Sequence, residues 1–319
     1  MIYSRFAGTG SYLPSKIMTN FDLEKIVETS HDWIVERTGI KQRHIATDSD
    51  TSGYMAFQAA QRALDAAGMK AEQIDLIISA TSTPDNIMPS TACCVQQLLG
   101  INKIPAFDLS AACAGFTYAV SIADQFIRLG TYKTVLVIGV EVMSRILDWN
   151  DRATCILFGD GAGAAILTAD NQPGVKMTKL HAAGQYKDLL GASQAYKLDG
   201  TPQKPEVFMQ GSEVFKVAVN SLIDVADEIL TATNVSIDQV DWLVPHQANL
   251  RIIQAVAKKL AFPSEKIVLT VQDHGNTSSA SIPLALDVAI RDGRIKRGQQ
   301  ILLESFGAGF TWGSVLFTF

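Results

Sequence analysis

The chain carries an internal duplication, and that limits what it can fold into more than any other feature. "AEQIDLIIS" (71–79) and "IDQVDWLVP" (237–245) share a pattern of acidic and amide residues, an aspartate and then an apolar strand, 166 positions apart. Farther on, "FIRLG" ending at Gly130 matches "AIRDG" ending at Gly293, 163 positions apart. Each strand is preceded by a helical pattern, "MAFQAAQRALDAAG" and "FKVAVNSLIDVADEIL", and followed by another, "TACCVQQLLG" and "LRIIQAVAKKLAF". A strand, a turn of small residues, a third helix and an almost wholly apolar strand, "TVLVIGV" or "QILLESF", then complete each copy. Both halves, 1–172 and 173–319, therefore read as α/β. Near-continuous apolar strands separated by helices imply sheets covered on both faces. Two such halves packed helix layer on helix layer put the sheets outside and helices between.

With the 163 offset, Cys113 falls on Asn276. A pseudo-twofold axis relating the halves then sets both residues at equivalent helix starts, facing one cavity. His246, in "VPHQANLR", follows the apolar "WLV" directly, at the strand end where α/β folds place their sites. A cysteine in the first turn of a helix meets unpaired N–H groups and the positive end of the helix dipole, both of which favour thiolate. Each residue also has a plain structural reading: Cys113 as a small buried apolar group, His246 as a core histidine, Asn276 as a helix N-cap. It is the three together, at matching topological positions, that point to a nucleophile with two polar partners.

Composition narrows the class. With 319 residues, 47% of them hydrophobic and 18% charged, the chain can bury a large core. A formal charge of -5 argues against nucleic acid as partner. No apolar run reaches the length of a membrane span, and the opening "MIYSRFAGTGSYLPS" lacks a basic segment followed by an apolar signal core, so no membrane association and a cytoplasmic location are expected. The four cysteines show no CxxC spacing, which signals neither a metal site nor a redox pair.

"DLSAACAGFTYA", "DWLVPHQANLRII", "HGNTSSASIP" and "FGAGFTWG" resemble the β-ketoacyl-acyl carrier protein synthase III group of the thiolase superfamily, over nearly the whole chain. The resemblance implies a thiolase-like five-layered αβαβα sandwich built from two similar halves. It implies decarboxylating condensation of a short acyl-CoA primer, acetyl-CoA for preference, with malonyl-acyl carrier protein to give 3-oxoacyl-acyl carrier protein, the opening step of type II fatty acid synthesis. Cys113, His246 and Asn276 take the positions of the family's Cys-His-Asn set. A backbone oxyanion hole at Cys113 and the "FGAG" turn is expected, with Ala308 where some relatives have glycine. No cofactor is implied, since the coenzyme A thioester is itself substrate.

CoA contacts carried by the resemblance are Trp33, Arg37, Arg152, Phe158, Met209, Gly211, Asn249 and Phe306. An acidic carrier protein needs a basic patch, and Arg251 and Lys258 lie seven apart on one helix face with Lys259 adjoining and Lys216 as a further member. With the adjacent Gln247, Ala248, Asn249 and Leu250 they form the expected carrier surface. Family members are homodimers, and "TSTPDNIMPSTACC" resembles the loop that crosses into the partner's primer pocket, where Met88 replaces a frequent phenylalanine.

Other signals are set aside. "GDGAGA" (159–164) fits a loose dinucleotide pattern but leads into a strand rather than a helix. Cys93 and Cys94 read as helix core, Cys155 as strand core, and His274 as support for the following turn. The polar stretch 190–206 reads as a surface excursion near the tunnel entrance. All four cysteines precede residue 156, which excludes a degradative thiolase with a second C-terminal cysteine. Two other readings remain: a specialised acyl-transferring or condensing relative in secondary metabolism, and a non-catalytic acyl-carrier-binding partner.

Overall fold

The computed structural model describes residues 2–319. Its first large sheet has the strand order Tyr3–Tyr12, Asp160–Asp170, Thr134–Val142, Leu76–Ala80, Ala106–Leu109. The last three run parallel, and Asp160–Asp170 is antiparallel to both its neighbours. The second sheet repeats this plan with Val175–Ala182, Thr311–Thr318, Gln300–Gly307 and Trp242–Pro245. A single parallel bridge from Leu243 to Ile267 stands where the first sheet has Ala106–Leu109. The duplicated aspartates do the same job in each half: Asp75 accepts from the Lys133 and Thr134 amides, and Asp241 accepts from the Gln300 amide.

Helices Gly115–Arg128 and Ser281–Arg291 lie between the sheets in a shared core with Phe6, Leu76 and Val137 of one sheet and Val244, Leu303 and Phe317 of the other. The sheets are not outermost, as helix-on-helix packing alone suggested. Their far faces are covered by Ser52–Ala67 and Thr91–Leu98 on one side and by Gly211–Thr233 and Leu250–Lys259 on the other. The result is five layers, αβαβα. A strand such as Thr134–Val142, buried at every position, has no polar face to turn to water. The alanine stripe Ala56, Ala59, Ala60 and Ala63 lets one outer helix lie almost on the backbone of Tyr3–Tyr12. A Cβ at Gly8 or Gly10 would stand 2.5 or 2.3 Å from its carbonyl oxygens. No described helix is long and apolar enough to cross a membrane.

The two inner helices also correct the sequence pairing. Each is entered through one tight 3-10 turn whose first residue is left-handed, Ala112 at φ 45° and Ser278 at φ 48°. That match equates Cys113 with Ser279, at the 166 offset, rather than with Asn276. The offset falls to 163 at Gly130 and Gly293 because the first helix has 14 residues and the second 11. Asn276 lies just upstream of the true counterpart.

Candidate active site

A cavity of about 1550 Å³ opens between the halves and is lined by Cys113, His246 and Asn276, together with Trp33, Arg37 and Phe158. Cys113 follows the Ala106–Leu109 strand and His246 the Trp242–Pro245 strand, so both come from the C-terminal edges of parallel strands. Among the described residues no cluster of three or more His, Cys, Asp or Glu side chains forms a metal-donor set.

Cys113 sits in the turn before its helix, pressed against the end of the Gln300–Gly307 strand. A Cβ at Gly307 would stand 2.6 Å from the Cys113 nitrogen. Thr311 Oγ1 lies 2.9 Å from Ala111 O and 3.0 Å from Ala308 O, which ties the nucleophile turn to the "FGAG" turn. The backbone N–H groups of Cys113 and Ala308 take no acceptor in the turns, loops and caps around them, and both residues line the cavity. They are donors without an acceptor of their own at the cavity wall. The thiol itself is not resting as thiolate, as the helix start alone suggested. Burial pushes it up to about 12, the Ser278 hydroxyl pulls against that, and the Glu141 carboxylate adds to it. Lost hydration of the charged form outweighs the few dipoles at one helix end.

His246 is locked from behind. Its N–H donates to Glu304 O at 2.7 Å, and its Nδ1 is 2.6 Å from Ser281 Oγ. The Gln247 N–H donates to that oxygen at 3.3 Å, and the serine proton is free to go to Nδ1, an arrangement that leaves the ring proton on Nε2. Burial holds the imidazole down to about 3, which keeps it neutral. Asn276 is fixed in the same manner: its backbone N–H donates to Leu157 O at 2.9 Å, its backbone carbonyl accepts from Gly159 N at 3.0 Å, and its Oδ1 accepts from Ser278 N at 2.9 Å. With Nδ1 and Oδ1 engaged, the groups left for the cavity are two donors, Nε2–H of His246 and Nδ2 of Asn276. Such a pair suits an oxygen on which negative charge develops.

The other expected contacts divide. Phe158, Met209, Gly211, Asn249 and Phe306 line the cavity, as do Ala248, Arg251 and Lys216. Trp33 carries two guanidinium groups, Arg37 and Arg152, each 4.7 Å from its ring centroid. Arg152 itself is outside the lining and donates to Glu28 O at 2.9 Å. Asn249 caps Leu250–Lys259 by accepting from Arg251 N at 2.8 Å, and its Nδ2 donates to Arg37 O at 3.1 Å.

Several expectations need correction. Gln247 is 1% exposed, and its amide holds Pro245 O, Val268 O and the Thr270 and Val271 N–H groups, so it is a brace and not a surface contact. Leu250 is turned inward against Gly39. The expected carrier lysines are surface groups: Lys258 and Lys259 are exposed at the end of the ten-residue helix far from the cavity, and Lys216, which lines it, is paired with Glu213 at 2.9 Å. No correction falls on Met88, expected at a partner's pocket: it is 80% exposed and outside this chain's own cavity, which its neighbour Ile87 lines. Cys155 ends a short helix, Arg152–Cys155, instead of lying in a strand.

The residues that sequence reasoning missed, Ser278, Ser281, Glu141 and Thr311, act on the catalytic candidates from behind. "NTSSAS" offered the two serines as a polar cluster; nothing local singled out Glu141 inside an apolar strand.

Models of two families match the chain: 3-oxoacyl-[acyl-carrier-protein (ACP)] synthase III over residues 107–184, and the C-terminal region of the same synthase over 230–319. A beta-ketoacyl-[acyl-carrier-protein] synthase III of Methylococcus capsulatus is 56% identical over 315 residues, covering 98% of each chain. The crystal structure of 3-oxoacyl-[acyl-carrier-protein] synthase III from Aquifex aeolicus matches with TM-score 0.94 at 49% identity, over 99% of this chain and 100% of that one. The priming β-ketosynthase of the R1128 polyketide pathway matches with TM-score 0.95 at 35% identity, over 99% and 96%.

Proposed function

The chain belongs to the 3-oxoacyl-[acyl-carrier-protein] synthase III family, and from that premise we propose that its cavity joins a short acyl-CoA primer, acetyl-CoA first among them, to malonyl-acyl carrier protein. It is an acyl-transferring condensing enzyme that initiates fatty acid synthesis. The observation that carries the site assignment is that Cys113, His246 and Asn276 share one cavity with only their reactive atoms left free.

Cys113 Sγ attacks the primer carbonyl, the new S–C bond replaces the bond to CoA, and the thiol proton ends on the departing CoA sulfur. The N–H groups of Cys113 and Ala308 hold the tetrahedral oxyanion. Malonyl-carrier then enters and its C–CO₂ bond breaks. The electron pair moves into an enolate whose oxygen accepts from His246 Nε2–H and Asn276 Nδ2–H. One such donor is typically worth about 2.7–4 kcal/mol. The enolate carbon attacks the acyl-cysteine, and sulfur leaves and regains a proton from solvent. A neutral imidazole serves this role because it keeps its donor without burying a charge.

No cofactor enters beyond the thioester consumed. Trp33, Arg37 and Arg152 are the nucleotide contacts, an aromatic face and guanidinium groups suited to adenine and phosphate. Arg251, with Lys216 at the same mouth, attracts the acidic carrier. The exposed Ile87 and Met88, 89% and 80%, support a homodimer in which this loop is covered by a second copy. The cytoplasm, where acyl carriers and CoA thioesters are found together, is the proposed location.

Incubation with acetyl-CoA followed by intact-mass measurement tests the reading. An acetyl adduct that Cys113→Ala abolishes is expected. No adduct on the wild-type chain would favour a non-catalytic carrier-binding protein.

A further inference from the structure

Glu141 is fully buried next to last in the Thr134–Val142 strand, and no cation pairs with it among the described residues. Neutral donors surround it. Ser82 N reaches both oxygens at 3.2 and 3.1 Å, Thr83 Oγ1 donates at 2.6 Å, and the Ser278 and Ser279 hydroxyls lie 3.1 and 3.0 Å away, that of Ser279 shared with Ala80 O at 2.9 Å. Burial pushes this carboxyl up against the donors around it, and a buried acid with no cation beside it is costly to keep, so its placement calls for a reason.

Ser278 supplies the reason. Its hydroxyl lies between Glu141, at 3.1 Å, and the Cys113 sulfur, its N–H holds Asn276 Oδ1 at 2.9 Å, and its backbone is left-handed at φ 48°. A non-glycine residue in that region is strained and persists only where its surroundings hold it. Glu141 is the anchor that does so, and it lies outside the cavity lining while Ser278 lies within it. The duplication sharpens the point. At the 166 offset Glu141 corresponds to Gly307, and Ser279 to Cys113. On one side of the pseudo-axis a glycine leaves room beside the nucleophile; on the other a carboxylate fills that room and clamps the serine.

We propose that Glu141 is a positioning residue for the decarboxylation half of the reaction, acting through Ser278 to fix the Asn276 amide as a donor into the cavity. The inference rests on the functional reading above. Acylation uses different donors, the Cys113 and Ala308 N–H groups, held by Gly307 and Thr311. Glu141 and Ser278 reach acylation only through their opposing pulls on the Cys113 thiol, so the two half-reactions depend on them unequally.

The experiment measures acetyl-adduct formation with acetyl-CoA, and CO₂ release from malonyl-carrier by the pre-acetylated enzyme, in wild type and in Glu141→Gln, Ser278→Ala and the double variant. Glu141→Gln is expected to lose far less in acetylation than in CO₂ release, because removing its charge eases the Cys113 thiol downward. Its kcat for CO₂ release should fall about tenfold or more with KM within about threefold, a split that simple loss of fold would not produce. The double variant should release CO₂ no more slowly than the worse single variant, since both break one link. Equal loss of both half-reactions in Glu141→Gln, undiminished CO₂ release, or multiplying effects in the double variant would each overturn the inference. Should Glu141→Gln fail to fold, Ser278→Ala carries the test: an unchanged kcat for CO₂ release would overturn it. A wild-type chain that neither acetylates nor releases CO₂ overturns the functional reading, and the inference with it; failure of the variants alone leaves that reading standing.

Discussion

Gly307→Ala is the sharpest test of how the nucleophile is held. The added Cβ would stand 2.6 Å from the Cys113 nitrogen and 3.1 Å from that of Ala114, both backbone atoms with no rotamer to swing away. Ordinary van der Waals contact begins at about 3.4 Å, so the strand end and the nucleophile turn must part by roughly 0.8 Å. A misplacement of about 1 Å at reacting groups costs on the order of 10²-fold, and loss of one oxyanion donor about 10²–10³-fold. The acetyl-adduct rate should therefore drop at least about 10²-fold, with a destabilisation of about 1–3 kcal/mol from overpacking. Time-resolved intact mass gives the first quantity and a thermal melt the second. Gly184→Ala is the control, because a Cβ there meets nothing within 4 Å. A Gly307→Ala enzyme that acetylates at the wild-type rate would refute the view that close backbone approach builds the oxyanion hole.

Arg251→Glu should raise KM for malonyl-carrier about tenfold and flatten its dependence on salt, while KM for acetyl-CoA shifts by less than about threefold; equal losses on both substrates would remove Arg251 from the carrier surface. Glu304 is buried with both carboxylate oxygens unpartnered, and burial pushes it up from 4.5 to about 8. The unfolded chain releases this proton first, so the stability it contributes is present below pH 4.5 and is lost as pH rises through about 8. Glu304→Gln has no such loss: its melting temperature relative to wild type should climb between pH 5 and 8 and then level off, and a difference independent of pH would contradict the burial argument.

The duplication was legible because its markers are local: Asp75 and Asp241 stand before their strands, and Gly130 and Gly293 end their helices in left-handed turns at φ 73° and 80°. The pairing of Cys113 with Asn276 was not, although both do line one cavity. A count from the glycines cannot reveal that the second inner helix is three residues shorter than the 14 of the first. Ser279 is the counterpart, and it binds Glu141 instead of facing substrate. Gln247 misled for a related reason: its polar side chain beside His246 looks like surface, yet its four hydrogen-bond partners come from a segment more than twenty residues away and from Pro245.

Taken alone, the amino-acid order determined the α/β class and the two-copy plan and singled out Cys113, His246 and Asn276 as candidates, because apolar period, caps and motif spacing act over a few residues. Only the tertiary structure decided which atoms of those partners remain free, that Cys113 rests as a thiol, and that Glu141 stands behind Asn276. Those properties arise from burial and from hydrogen bonds between segments more than a hundred positions apart, such as Ser278 to Glu141, and no local pattern encodes them.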